Sequence, residues 1–171
     1  MAAPPVREKI WIANVATGAR IEAQYNPKKF EPEIEVEYAE LKVPGLSHRP
    51  LQYVSTGNVK SPIELLFVVH SVKERQALEY ARRFLMSLCV PWRGQAAPPR
   101  ALFVWPNEAS LQVVIRGTLK FSDERFNRDM GTIEMSAKVP FEEIRDTRLV
   151  GEDVLASGLW RSGLDGRSWS R

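Results

Sequence analysis

Apolar and polar positions along this chain alternate in short runs that Pro and Gly break repeatedly. Residues 9–15 alternate as a strand, Thr17-Gly18 supplies a tight turn, and residues 20–25 alternate back, which predicts a β-hairpin. Asn26-Pro27 stops the second strand, because proline removes a ladder donor. Between Phe30 and Leu41, Ile34, Val36 and Tyr38 alternate with Glu33, Glu35 and Glu37. This is the clearest period of two in the chain, and it predicts a half-buried strand with a solvated row of carboxylates. The sharper alternative is an acidic face that borders a pore or meets a basic partner. Pro44, Gly45 and Pro50 deny regular structure to residues 43–50. Residues 59–69 read as a buried strand, with Pro62 at its start or at a sheet edge.

A helix is predicted next. Ser71 and Glu74 form a capping-box pattern. Val72, Leu78, Ala81, Leu85 and Leu88 recur near 3.6-residue spacing, charged residues cover the other face, and Pro91 ends the helix. Residues 93–99 read as a loop, 100–105 as a strand and 111–121 as one longer strand, whose extended length would be about 36 Å. Residues 127–131 form a turn, and 132–141 return with Ile133, Met135, Ala137, Val139 and Phe141 on one face, completing a long hairpin. Strands dominate, one helix interrupts them, and no βαβα alternation appears. The expected fold is therefore mainly β, a rolled β-barrel or sandwich with one flanking α-helix. The barrel domain is placed at residues 1–146. Residues 147–171 are read as a C-terminal extension that docks on a neighbouring subunit through Trp160 and Trp169, the plain alternative being an unattached terminus.

Charge adds little to that picture: 24 basic residues face 21 acidic ones, and the two signs are interleaved instead of gathered into a basic stripe. Cys89 is the only cysteine, so no internal disulfide can form, and its apolar surroundings predict a buried, inert thiol. The first residues lack the apolar centre of a signal peptide, and no apolar run approaches the roughly 18 residues that span a membrane. A soluble protein made in the cytoplasm, without membrane association, is expected.

The search for chemistry is short. His48 and His70 stand alone, without a second His, Cys or carboxylate at metal-ligand spacing. Ser47 has no nucleophile elbow around it, and neither phosphate-cradling glycine motif is present. Asp123/Glu124 and Glu142/Glu143 are expected to be solvated surface pairs. No catalytic residue, metal or cofactor is therefore expected. Small β-barrels also bind single-stranded nucleic acid by stacking aromatics over basic grooves, and Phe103, Trp105, Phe121 and Phe126 lie near Arg100, Arg116, Lys120 and Arg125. Most of those aromatics fall on apolar faces and read more simply as core.

Several segments together resemble one family. Tyr25-Asn-Pro-Lys-Lys-Phe30, Pro44-Gly-Leu-Ser47, Pro50-Leu-Gln-Tyr-Val-Ser-Thr-Gly57, Ile63-Glu-Leu-Leu-Phe67 and Gly117-Thr-Leu-Lys-Phe121, followed by the hairpin from Gly131 to Phe141, carry the likeness. They resemble the N-terminal tube domain of LysM-type baseplate proteins, and so the tube and baseplate proteins of phage tails and related contractile injection particles. The resemblance spans residues 10–146. It implies a tail-tube-type barrel that assembles as a hexameric ring, in contact with the tail tube protein, the baseplate hub or spike and other baseplate proteins. DNA or cargo would pass through the lumen without specific binding. The residues after Asp146 are too few for a LysM module, which favours a tube-initiator or hub-adaptor ring over cell-wall anchoring; a repeated tube subunit is the other version. The location implied is a virion tail or extracellular particle, assembled in the bacterial cytoplasm. Within this frame, residues 46–53 are expected to be an ordered Pro-rich loop making an inter-subunit contact through Leu46, Leu51 and Tyr53.

Overall fold

The computed structural model describes residues 8–106 and 109–146, together with positions 152 and 155. Trp160 and Trp169 lie outside the described residues. The strands are β1 (Trp11–Asn14), β2 (Arg20–Glu22), β3 (Val36–Glu40), β4 (Leu51–Thr56), β5 (Lys60–Val68), β6 (Ala101–Trp105), β7 (Ala109–Ile115), β8 (Lys120–Phe126) and β9 (Thr132–Glu143), and the helix is α1 (Val72–Ser87). A seven-stranded sheet runs β2-β1-β6-β7-β9-β5, with β8 also on β9, while β3 and β4 form a separate two-stranded sheet. The fold is mainly β with one helix, an antiparallel sheet curled into a half-barrel.

The expected first hairpin is present, with Ile12 opposite Ile21. The two outer strands of the sheet approach each other where β2 runs on into the Asn-Pro segment. Tyr25 bridges to Leu66, and the Gln24 side-chain amide both donates to the Val68 carbonyl (2.8 Å) and accepts from the Val68 N–H (2.7 Å). One side chain thus supplies the donor and acceptor that a further strand residue would have supplied. Asn26 works similarly at the other flank, accepting from Ile10 N–H and donating to the Glu8 carbonyl.

Strand β9 organises the sheet. Its whole central length pairs with β5, while its other edge is shared between β8 (Thr132 to Lys138) and β7 (Phe141 to Glu143). Pro62 lies on the edge strand β5, as expected, directly opposite Pro140. Bonds from Glu143 N to Val59 O and from Val69 N to Ile133 O set the odd-numbered residues of β5 as its hydrogen-bonded positions. The two prolines therefore face each other at a pair that needs no N–H. The single long strand expected at 111–121 is instead two strands. Gly117 adopts φ 116°, a conformation that side chains resist, and the chain turns there from β7 to β8.

Odd-numbered residues Ile63, Leu65 and Phe67 of β5 and Met135, Ala137, Val139 and Phe141 of β9 point into the core with Ile12, Phe103, Leu111 and Val113. Helix α1 adds Leu78, Ala81, Phe84, Leu85 and Leu88 to that core. Ser71 caps it by accepting from Glu74 N, and Glu74 reaches back to His70 N at 2.6 Å, one residue further than the usual reciprocal partner. That bond holds the Glu74 carboxyl below its ordinary pKa.

Three expectations on the helix and its flanks are corrected. Val72 is exposed and not part of the apolar stripe. The helix ends at Ser87, before Pro91, because the chain tightens as Leu88 N bonds to both Phe84 O and Leu85 O. That early end turns Cys89 off the stripe. Its thiol is exposed instead of buried, though partial burial still pushes its pKa up. The acidic pairs are also less solvated than expected. Glu142 and Glu143 are buried, with Glu142 held by Arg116 (2.6 Å) and Asn58 (3.3 Å) and Glu143 by Arg145 (2.6 Å). Asp123 is half-buried and paired with Arg82, which ties β8 to α1. No helix among the described residues is long and apolar enough to cross a membrane.

Candidate assembly interface

The acidic run and the segment at 51–56 meet as the β3–β4 ribbon, and every strand residue of that ribbon is exposed. The pairs Val36/Thr56, Tyr38/Tyr53 and Glu40/Leu51 share one face; Glu37/Ser55 and Ala39/Gln52 share the other. A β-bulge after Glu37 sets Val54 between the two registers. The first face is apolar: Val36, Tyr38, Leu51 and Tyr53 are 48%, 54%, 64% and 56% exposed. Tyr38 and Tyr53 pack edge to face with ring centres 5.9 Å apart, and the Tyr53 hydroxyl lies 2.9 Å from Thr56 Oγ1. The second face carries Glu37, hydrogen-bonded by Ser55.

The ribbon is fixed only at its root. Glu33 and Lys60 exchange backbone hydrogen bonds, Gly57 N donates to Glu35 O, and Lys60 Nζ pairs with Glu35 at 3.0 Å. Beyond this root it is an arm. Two strands alone are marginal in water, so an arm with an uncovered apolar face is built to be completed by something else.

The structure brings Leu51 and Tyr53 together on the apolar face, yet in strand β4 and not in a loop as expected. The reason is that Leu51 to Thr56 finds a partner in β3, which the Pro-rich stretch before it had obscured. Leu46 lies at the tip, 49% exposed, in the turn made by Gly45 at φ 88°. Val36 and Tyr38, also on this exposed apolar face, were not among the residues singled out from the sequence. Their alternation was read as half-buried, whereas here no protein layer lies beneath them. A run from 33 to 40 carrying four glutamates, followed after a Pro-rich turn by a second short apolar run, was the available signal.

Among the described residues no group of three His, Cys, Asp or Glu residues is placed to hold a metal ion. A groove of about 590 Å³ runs along the Asn-Pro segment, lined by Lys9, Gln24, Tyr25, Asn26 and Leu66 among others. Its amides are already committed to the backbone bonds that join β2 to β5 and β1. Of the aromatics considered for base stacking, Phe103 is fully buried, Trp105 and Phe121 pack against the core, and Phe126 alone is exposed. Those four therefore offer one exposed ring and not a row of them.

No protein-family model and no curated protein sequence matches the chain. Among solved structures, the chain is similar to one from the anti-feeding prophage (AFP) baseplate, determined by cryo-electron microscopy with six-fold symmetrisation. The likeness is distant: 11% identity and a TM-score of 0.37, over 85% of this chain and 96% of that one.

Proposed function

We propose that this chain is a structural component of a contractile phage tail or related injection particle, forming an adaptor ring between the central hub and the inner tube. The observation that supports the reading best is the β3–β4 arm, an ordered ribbon whose apolar face has no cover within the subunit. Such an arm does no chemistry; its use is to join subunits. The motifs at residues 25–30, 44–57 and 117–141, which resemble the tube and baseplate family, supply the kind of assembly. In that ring, the Glu33, Glu35 and Glu37 row would give an acidic surface from which DNA or cargo is repelled.

Copy number tests the proposal. Sedimentable particles from the source organism are purified, and this chain is quantified against sheath and tube proteins by mass spectrometry. One ring's worth of copies per particle is the expected result. A number rivalling the sheath would make it the repeated tube subunit, and absence from every particle would overturn the assignment.

A further inference from the structure

We propose that the free edge of β8 pairs antiparallel with β8 of a second copy of this chain, about a two-fold axis at Ser122, so that Lys120 of each copy faces Glu124 of the other. The inference stands apart from the adaptor reading. A ring is joined head to tail, whereas this contact joins like to like and closes at a dimer of the free chain.

The edge is open and short. Among the described residues, β8 pairs with β9 alone. Strand β9 turns the N–H and C=O groups of its even-numbered residues toward β7 and β8, as the bonds from Arg116 N to Pro140 O and from Ile144 N to Gln112 O show. Even-numbered residues of β8 therefore answer β9, and Phe121 and Asp123 turn their backbone groups outward. The extended run has two ends: the chain turns at Gly117 before it, and Arg125 at φ 55° breaks it after Glu124. Lys120, Ser122 and Glu124 are all exposed.

Charge makes this edge complementary to itself. Lys120 lies directly opposite Lys138, Ser122 opposite Ser136 and Glu124 opposite Glu134. Like charges in such positions repel. Relief within the subunit reaches only the β9 member of each pair: Lys138 has Glu64 of β5 on its other side, and Glu134 is paired with Arg125 at 3.6 Å. Lys120 and Glu124 have no ion-pair partner among the described residues. One unmatched cation and one unmatched anion thus stand equally far from Ser122, and turning the edge through 180° sets each against the other.

The backbone accepts the same register. With Ser122 on the axis, Phe121 of each copy meets Asp123 of the other, and these are the residues whose N–H and C=O groups point outward. Lys120 and Glu124 then meet at a non-hydrogen-bonded pair, where side chains stand closest. On the opposite face, Asp123 is already neutralised by Arg82, whose guanidinium also lies over the Phe121 ring at 5.7 Å, so no bare carboxylate meets the aromatic ring. A lysine on an edge ordinarily keeps strands apart. Here a glutamate at the symmetric position answers it, so the edge refuses foreign strands and accepts its own.

Sedimentation velocity on the full-length chain tests this with charge-swapped variants. The wild type is expected to show a monomer–dimer equilibrium that high salt shifts toward monomer. Lys120→Glu and Glu124→Lys each place like charges across the axis. Each is expected to be monomeric alone, and a mixture of the two to form a heterodimer. The double variant, Lys120→Glu with Glu124→Lys, is expected to dimerise as the wild type does. Either single substitution also removes a like-charged pair with β9, so thermal midpoints in dilute solution should be no lower than that of the wild type, which separates lost pairing from lost folding. A second measurement probes the axis directly. In a Cys89→Ser background, Ser122→Cys is expected to form an interchain disulfide under mild oxidation, whereas Ser136→Cys, one strand inward, is not. A wild type that stays monomeric, single variants that still dimerise, a mixture that does not, or crosslinking at position 136 as readily as at 122 overturns the inference.

Discussion

Met130 illustrates how single residues here serve surface and not core. Replacing it with Gly relieves the left-handed backbone and removes a side chain that touches little. Unfolding free energy in denaturant should be unchanged or up to about 1 kcal/mol higher. Gly117 is the converse. At φ 116° any side chain is strained, so Gly117→Val should destabilise by about 1–3 kcal/mol, read as a lower denaturant midpoint at constant slope. Two carboxyls also respond to acid. Asp146, paired with both terminal nitrogens of Arg100, and Glu74, bonded to His70 N–H, both have pKa values below the ordinary carboxylate range. Their contributions are present at neutral pH and are lost only as pH falls through those lowered values. Hydrogen exchange at the His70 amide should therefore quicken, after correction for intrinsic rates, only as pH falls through the lowered Glu74 value, and in Glu74→Ala, which has no acceptor, it should be fast at every pH.

At the scale of elements, the junction between β2 and β5 depends on Gln24. In Gln24→Leu the Val68 N–H and carbonyl, both bonded to that amide, lose their partner at a half-buried site, and stability should fall by about 1–3 kcal/mol in chemical denaturation. Nothing in the pattern of residues 20–25 distinguishes Gln24 from any outward-facing polar residue, because its role depends on a strand far along the chain. The elements that were legible are those whose own period decides them: the first hairpin, β5 with Pro62 at its edge, α1 with its Ser71 cap, and the alternation in β9. Those that misled had periods set by absent or distant neighbours. The β3 alternation was correct, but burial is a property of what lies opposite, and there the subunit offers nothing. Glu142 and Glu143 sit at the end of an alternating run, yet Arg116, Asn58 and Arg145 enclose them. The break at Gly117 was hidden because a glycine inside an apolar run gives no sign of its φ.

For the whole molecule, the last strand pairing among the described residues ends at Glu143, and the Arg100–Asp146 pair follows just beyond. A chain cut after residue 149 should unfold at the same denaturant midpoint as the full chain; the proposed docking role of residues 150–171, with Trp160 and Trp169 as anchors, would then show as reduced incorporation into particles. A drop in the midpoint would show that the C-terminal segment belongs to the barrel. The division between a packed core and an exposed arm, proposed to join subunits, also separates two kinds of damage. Core substitutions such as Phe103→Ala should cost about 3–5 kcal/mol and abolish everything, whereas arm substitutions should leave a stable, soluble fold.

The position of β9 has a bearing on biosynthesis. Because β5, β7 and β8 all pair with it, β5 stays without its one ladder partner among the described residues from its own synthesis until β9 has been made. Throughout that interval the nascent chain carries the apolar row Ile63, Leu65 and Phe67 on a strand held only by its contacts with Gln24, Tyr25 and Glu33. Crowded polysomes translating this message would hold many such edges side by side. A nascent-chain holdase that binds the emerging β5 segment should therefore raise the soluble yield more than any helper acting after release.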